Sequence, residues 1–151
     1  MDDSRQITVS RTVDAPIERV FAMLADPDRH PDLDGSGMLR GSRTHVVLTG
    51  IGEVFSMDMH HELLGDYVTD NVITVYERDR AIGWSTGPAG EEPFGHTFTY
   101  RLEPDGDDRT VVTHVYDWSA VTAQRVLELC PVVSAAQLSA TLERLDTGLT
   151  H

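Results

Sequence analysis

The chain has no lysine among its 151 residues, one cysteine, Cys130, and one asparagine, Asn71. Without a side-chain amine, Schiff-base catalysis and the lysine of a phosphate-binding loop are both excluded. A single cysteine allows neither an intrachain disulfide nor a cysteine-based zinc cluster. A reducing, cytoplasmic setting is therefore expected, with Cys130 a small apolar filler beside Pro131. Positive charge is scarce too: 12 arginines face 25 acidic residues, for a net charge of -13. Such a surface repels phosphate backbones and anionic membranes, so no nucleic-acid partner is expected. No apolar run approaches the roughly 20 residues of a membrane span, and Met1-Asp2-Asp3-Ser4-Arg5 lacks the basic-then-apolar pattern of a signal peptide. Neither membrane insertion nor export is expected.

The motifs of metal and nucleotide chemistry are also missing. His60 and His61 are adjacent on a strand and face opposite sides, and no His-x-x-x-His pair exists. Asp28-Arg29-His30-Pro31-Asp32-Leu33 has Leu33 where a calcium loop needs glycine, and no glutamate closes it. Gly35-Ser36-Gly37 and Gly50-Ile51-Gly52 lack the third glycine of a dinucleotide fingerprint, and no Gly-x-Ser-x-Gly elbow is present. No metal and no cofactor are expected.

What is present reads as one domain over residues 1–151, large enough for a substantial core. Ile7, Val9, Arg11 and Val13 alternate with Thr8, Ser10 and Thr12, which predicts a half-buried strand. Asp14 or Ala15 then caps a short amphipathic helix with Pro16 in its first turn and Ile17, Val20, Phe21 and Leu24 on its apolar face. Asp28 to Gly37 reads as a loop or a loose turn.

The run Val13-Asp14-Ala15-Pro16-Ile17-Glu18-Arg19-Val20-Phe21-Ala22-Met23-Leu24-Ala25-Asp26-Pro27 resembles the opening of the START-like superfamily, the SRPBCC group that includes polyketide cyclase/dehydrase proteins. That resemblance implies an α+β helix-grip fold, a curved antiparallel sheet wrapped round a long C-terminal helix with an apolar cavity between. The matching residues are architectural, and none carries a catalytic role across.

The rest of the chain suits that plan. Met38 to Leu48 predicts one or two short strands, with Val46, Val47 and Leu48 their apolar part. From Glu53 to Leu63, Phe55, Met57, Met59, His61 and Leu63 share one face, and Ser56, Asp58, His60 and Glu62 the other. Tyr67 to Glu77 is a strand with apolar residues on both faces. Ile82 and Trp84 share a face in the next. Gly87 to Pro93 is a connecting loop or a flap over a cavity mouth. His96, Phe98, Tyr100 and Leu102 face inward, as do Val112, His114, Tyr116 and Trp118 after the turn at Pro104 to Asp108. A short helix spans Thr122 to Leu129. The final helix runs from about Ser134, where Ser134 and Gln137 have capping-box spacing, to Leu149, with Ala135, Leu138, Leu142, Leu145 and Leu149 as its stripe.

The inner faces gather polar-tipped rings against an apolar wall. Phe55, Met57, Met59, Trp84, His96, Phe98, Tyr116, Trp118, Leu138 and Leu142 are the expected ligand-binding residues, with the helix supplying apolar surface and the strands every polar tip. Tyr100, His61 and His114 are the proton-transfer candidates, because an imidazole beside a phenol can exchange protons with a bound ketone or enol. Each of these rings also has a purely structural reading as self-satisfied core. Asn71 and Asp117 sit where either would orient a histidine or be solvated at an edge.

Three functions follow: binding or carriage of a small hydrophobic molecule; a cyclase- or dehydratase-type enzyme; and, by resemblance to the chaperone-activator branch, a protein-interaction module. The third expects an apolar outer sheet face, and Ser56, Asp58, His60, Glu62, Thr97, Thr99 and Arg101 stand there instead.

Overall fold

A computed structural model describes residues 4–150, so Met1 to Asp3 of the amino-terminal expectation and His151 lie outside the described residues. Seven strands form one sheet: β1 (Gln6–Val13), β2 (Leu39–Ser42), β3 (Val54–His61), β4 (Gly65–Glu77), β5 (Ala81–Pro88), β6 (His96–Asp105) and β7 (Arg109–Asp117). Their order is β1-β7-β6-β5-β4-β3-β2, with every pairing antiparallel. From β2 to β7 each strand therefore lies beside the next in sequence, and β1 alone crosses over to the far edge. Helices α1 (Ile17–Leu24), α2 (His30–Leu33), α3 (Gln124–Leu127) and α4 (Ala135–Thr150) complete the chain, and a 3-10 turn at Pro27–Arg29 precedes α2. The sheet curls around α4, the helix-grip arrangement.

The start of α4 is set by a reciprocal cap. Ser134 N donates to Gln137 Oε1 at 2.8 Å, and Gln137 N donates to Ser134 Oγ at 3.2 Å, so two backbone donors at the helix start are satisfied. Leu138, Leu142, Leu145 and Leu149 are buried, while Ala135, expected on the same stripe, is exposed. Leu142, Leu145 and Leu149 join Val13, Val20, Phe21, Leu24 and Val112 in a solid core at one end of the molecule. Each such side chain removed from water contributes roughly 1.5–3 kcal/mol. The helix is also pinned from outside: Arg11 Nε donates to Asp146 Oδ2 at 3.0 Å and Arg19 Nη2 to the Leu149 carbonyl at 2.8 Å.

Four local expectations are corrected. Val46 and Val47 are not in a strand; they stand 68% and 52% exposed in a long connection, and only Leu48 turns inward, its N–H bonded to Ala25 O. Asp28 to Gly37 is partly helical, and the helix near Thr122 shrinks to Gln124–Leu127. Pro16, not Asp14 or Ala15, is the N-cap of α1.

The loop after α2 lies against α4 so closely that a Cβ on Gly35 would stand 2.3 Å from Gln137 O and 2.8 Å from Thr141 N. Glycine is required there by approach, not by dihedral angle. Gly35 N donates to Thr141 Oγ1, and Arg144 Nη1 to Asp34 O, which ties this loop to the helix.

Candidate functional site

At one end of the sheet three chain reversals meet. The β3–β4 hairpin turns after His61, the β5–β6 loop spans Ala89 to Gly95, and β7 runs out at Asp117 toward α3. Between these tips, the α2–β2 loop and the first turns of α4 lies a cavity of about 460 Å³. Its volume suits a small ligand. The side opposite, near Val13 and Leu145, is filled with side chains, so only the half of the grip near Leu138 is hollow.

The inner wall is mostly apolar. Phe55, Met57 and Met59 of β3, Trp84 of β5, Phe98 of β6 and Leu138 of α4 all face the cavity, as do His61, His96, Tyr100 and His114. Tyr116, Trp118 and Leu142 do not line it. Tyr116 is fully buried behind the wall, where its ring stacks on Phe98 at 4.7 Å, and Trp118 packs against Tyr116 at 5.0 Å. Leu142 sits one turn too far along α4 and belongs to the solid core.

Three histidines differ by what their nitrogens meet. His114 is 3% exposed, and neither Nδ1 nor Nε2 has a hydrogen-bond partner. Its ring stacks on Tyr100 with centroids 3.9 Å apart, and burial pushes its pKa down to about 3, so it stays neutral. His96 Nδ1 lies 3.0 Å from Tyr116 Oη, which also accepts Val132 N–H at 3.3 Å. Either atom donates across the His96–Tyr116 contact, according to the imidazole tautomer. Burial lowers the His96 pKa. His61 Nδ1 accepts Leu63 N–H at 3.0 Å, so its ring hydrogen is on Nε2.

His30, on α2, is a wall residue that sequence reasoning missed. It is buried, its Nε2 lies 2.8 Å from the Leu24 carbonyl, and its ring stacks on Trp84 at 5.0 Å. A carbonyl only accepts, so Nε2 carries the hydrogen and Nδ1 keeps a free lone pair. Burial holds its pKa below the ordinary value, against the opposing Leu24 hydrogen bond. Tyr100 packs on the same indole at 5.8 Å. Burial, helped by the Asp34 carboxylate, raises the Tyr100 pKa, so the phenol remains protonated.

Asn71 makes buried hydrogen bonds with partners that the sequence did not indicate. Thr69, Asn71 and Thr86 form a closed set on β4 and β5: Asn71 Nδ2 donates to Phe55 O and to Thr69 Oγ1, and Thr86 Oγ1 donates to Asn71 Oδ1 at 2.7 Å. Neither Asn71 nor Asp117 hydrogen-bonds to a histidine among the described residues; Asp117 accepts from Gln6 and Ser119. Thr141 lines the cavity from α4, and Asp34 and Ser36 from the α2–β2 loop. Polar tips therefore come from three sides, not from the sheet alone. The β5–β6 loop is tied back through Gly90 N to Asp70 Oδ2 at 2.9 Å. Among the described residues no group of three or more His, Cys, Asp or Glu side chains could hold a metal ion, and no helix is long and apolar enough to cross a membrane.

Residues 4–149 match the family model described as polyketide cyclase / dehydrase and lipid transport. The chain belongs to this family. Within the polyketide cyclase/dehydrase and lipid transport family, the curved sheet and α4 give the fold and the hollow half gives an internal cavity. An uncharacterized protein of Mycobacterium tuberculosis, Rv0088, is 34% identical over 118 residues, which are 76% of this chain and 49% of that protein. The chain thus spans about half the length of the curated relatives it matches. Among solved structures, Ms6760 of Mycobacterium smegmatis aligns with a TM-score of 0.70 at 20% identity, covering 98% of this chain and 92% of that one. CV1439 of Chromobacterium violaceum aligns with a TM-score of 0.68 at 15% identity, covering 97% and 99%. These two likenesses are of fold.

Proposed function

We propose that the protein binds a small, largely apolar molecule in the cavity between sheet and α4. The observation that supports this most directly is the cavity itself, about 460 Å³ with a predominantly apolar wall and a few directed polar groups. A sequence selected only for stability would fill such a space, since voids cost stability. Native mass spectrometry of the chain purified from its own host tests the reading. A discrete small-molecule mass is expected on the wild type and is lost in Met57→Trp, whose indole occupies the space. Absence of any bound mass, together with no saturable binding of the uncharged probe phenylnaphthylamine, would overturn it.

A second reading, an enzyme of the cyclase or dehydratase type, draws on one observation: the Tyr100 hydroxyl, on the cavity wall, has no hydrogen-bond partner among the described residues. Tyr100 then donates a hydrogen bond or proton to a carbonyl oxygen, and the free Nδ1 of His30, across Trp84, is better suited to act as base than His114, whose pKa burial pushes down to about 3. Conversion of a linear poly-β-ketone thioester by the wild type, lost in Tyr100→Phe with binding retained, is the expected result. Equal conversion by both proteins would remove Tyr100 from the chemistry.

A further inference from the structure

The charged groups of the cavity are unequal. Asp34 and Arg125 alone among its lining residues carry a carboxylate or a guanidinium. Asp34 is occupied within its own loop: Oδ1 accepts from Ser36 N at 2.9 Å and Ser36 Oγ at 2.6 Å, and Oδ2 accepts from Leu39 N at 3.0 Å. Arg125, exposed on α3, has no side-chain hydrogen bond and no ion pair among the described residues; its guanidinium carbon lies 5.2 Å from the centroid of the Phe94 ring. Glu128, three residues further along the chain, does not pair with Arg125.

His96 opens β6 next to the loop that carries Phe94, and a free acceptor, His30 Nδ1, lies against Phe55 and Trp84.

Building on the cavity-binding reading, we infer that the ligand is an amphipathic acid, its apolar body inside the cavity and its anionic group against Arg125. Phe94 holds the guanidinium over the opening, where low-dielectric walls strengthen its attraction for an anion. Charge-assisted hydrogen bonds from a planar fork suit a carboxylate.

The test uses two fluorescent probes of one skeleton: anilinonaphthalene sulfonate, whose sulfonate stands in for the acid, and uncharged phenylnaphthylamine. The wild type is expected to bind the sulfonate at least about fivefold more tightly at low salt, with the preference shrinking as salt rises. Arg125→Gln is expected to weaken the sulfonate about fivefold to tenfold and leave phenylnaphthylamine within about twofold. Arg125→Lys should recover part of the loss, and Arg101→Gln, on the outer face, should change neither probe. Binding of phenylnaphthylamine without preference for the sulfonate overturns the acidic-head assignment alone. So does an Arg125→Gln effect equal on both probes or absent from both. Binding of neither probe to the wild type overturns this inference and the cavity-binding reading together.

Discussion

His114 sits where a phenylalanine would satisfy every neighbour. Its stacking on Tyr100 needs only a flat ring, and its two nitrogens meet no partner. An unsatisfied buried polar group costs about 1–3 kcal/mol, so His114→Phe is expected to raise the urea midpoint, by about 1 kcal/mol or more in unfolding free energy. The same residue sets a pH dependence. Folded His114 stays neutral down to about pH 3, whereas the unfolded ring takes up a proton near its ordinary value of 6.5. Between those limits the unfolded state binds more protons, so stability falls as pH falls. His30 and His96, also lowered by burial, act in the same direction. Unfolding free energy measured from about pH 6.5 to 5.5, above the ordinary carboxylate range, should decline in the wild type and decline less steeply in His114→Phe. A parallel slope in the two proteins would place the depressed titration elsewhere.

Among the elements, α4 was the most legible and its cap gives the simplest test. Ser134→Ala removes the acceptor for Gln137 N–H, and a loss of about 1 kcal/mol is expected in thermal or urea unfolding. Its leucines alternate at three and four, and Ser134 with Gln137 marks its start, so period and cap agree. Strand β3 was legible for a similar reason, because Phe55, Met57 and Met59 alternate with Ser56, Asp58 and His60. Strand β4 was not, since Val68, Val72 and Val75 stand on one side and Tyr67 and Ile73 on the other, and a bulge between Ile73 and Val75 shifts the register. Helix α2 escaped notice because four residues containing Pro31 have no period, and with it went His30, whose place on the wall depends on the Leu24 carbonyl and the Trp84 ring. The β-branched pair Val46-Val47 reads as a strand by propensity but has no neighbouring strand to pair with, so context overrides it. Tyr116 and Trp118 alternate correctly with His114, yet alternation gives only the face, not whether a side chain reaches open space or lies behind Phe98.

For the whole molecule, the division of the grip into a filled end and a hollow end is the feature that sequence could not express, since leucines at Leu138 and Leu145 look alike while only the first faces the cavity. The acidic surface with an unpaired Arg125 at the cavity is likewise a property of placement and not of composition. The order of the strands has its own consequence. From β2 to β7 every pairing joins neighbours in the chain, so each hairpin closes a short loop, whereas β1 must find β7 across a separation of 111 residues between Gln6 and Asp117. Loop closure makes such a pairing the late step, and α4 packs chiefly on β1. Native-state hydrogen exchange should accordingly show amides of β1 and α4 opening together at lower free energy than those of β5 and β6; the reverse order would refute a late closure. The chain is then expected to fold as an open trough that is roofed last, and a ligand present during folding meets an entrance wider than any the finished molecule offers.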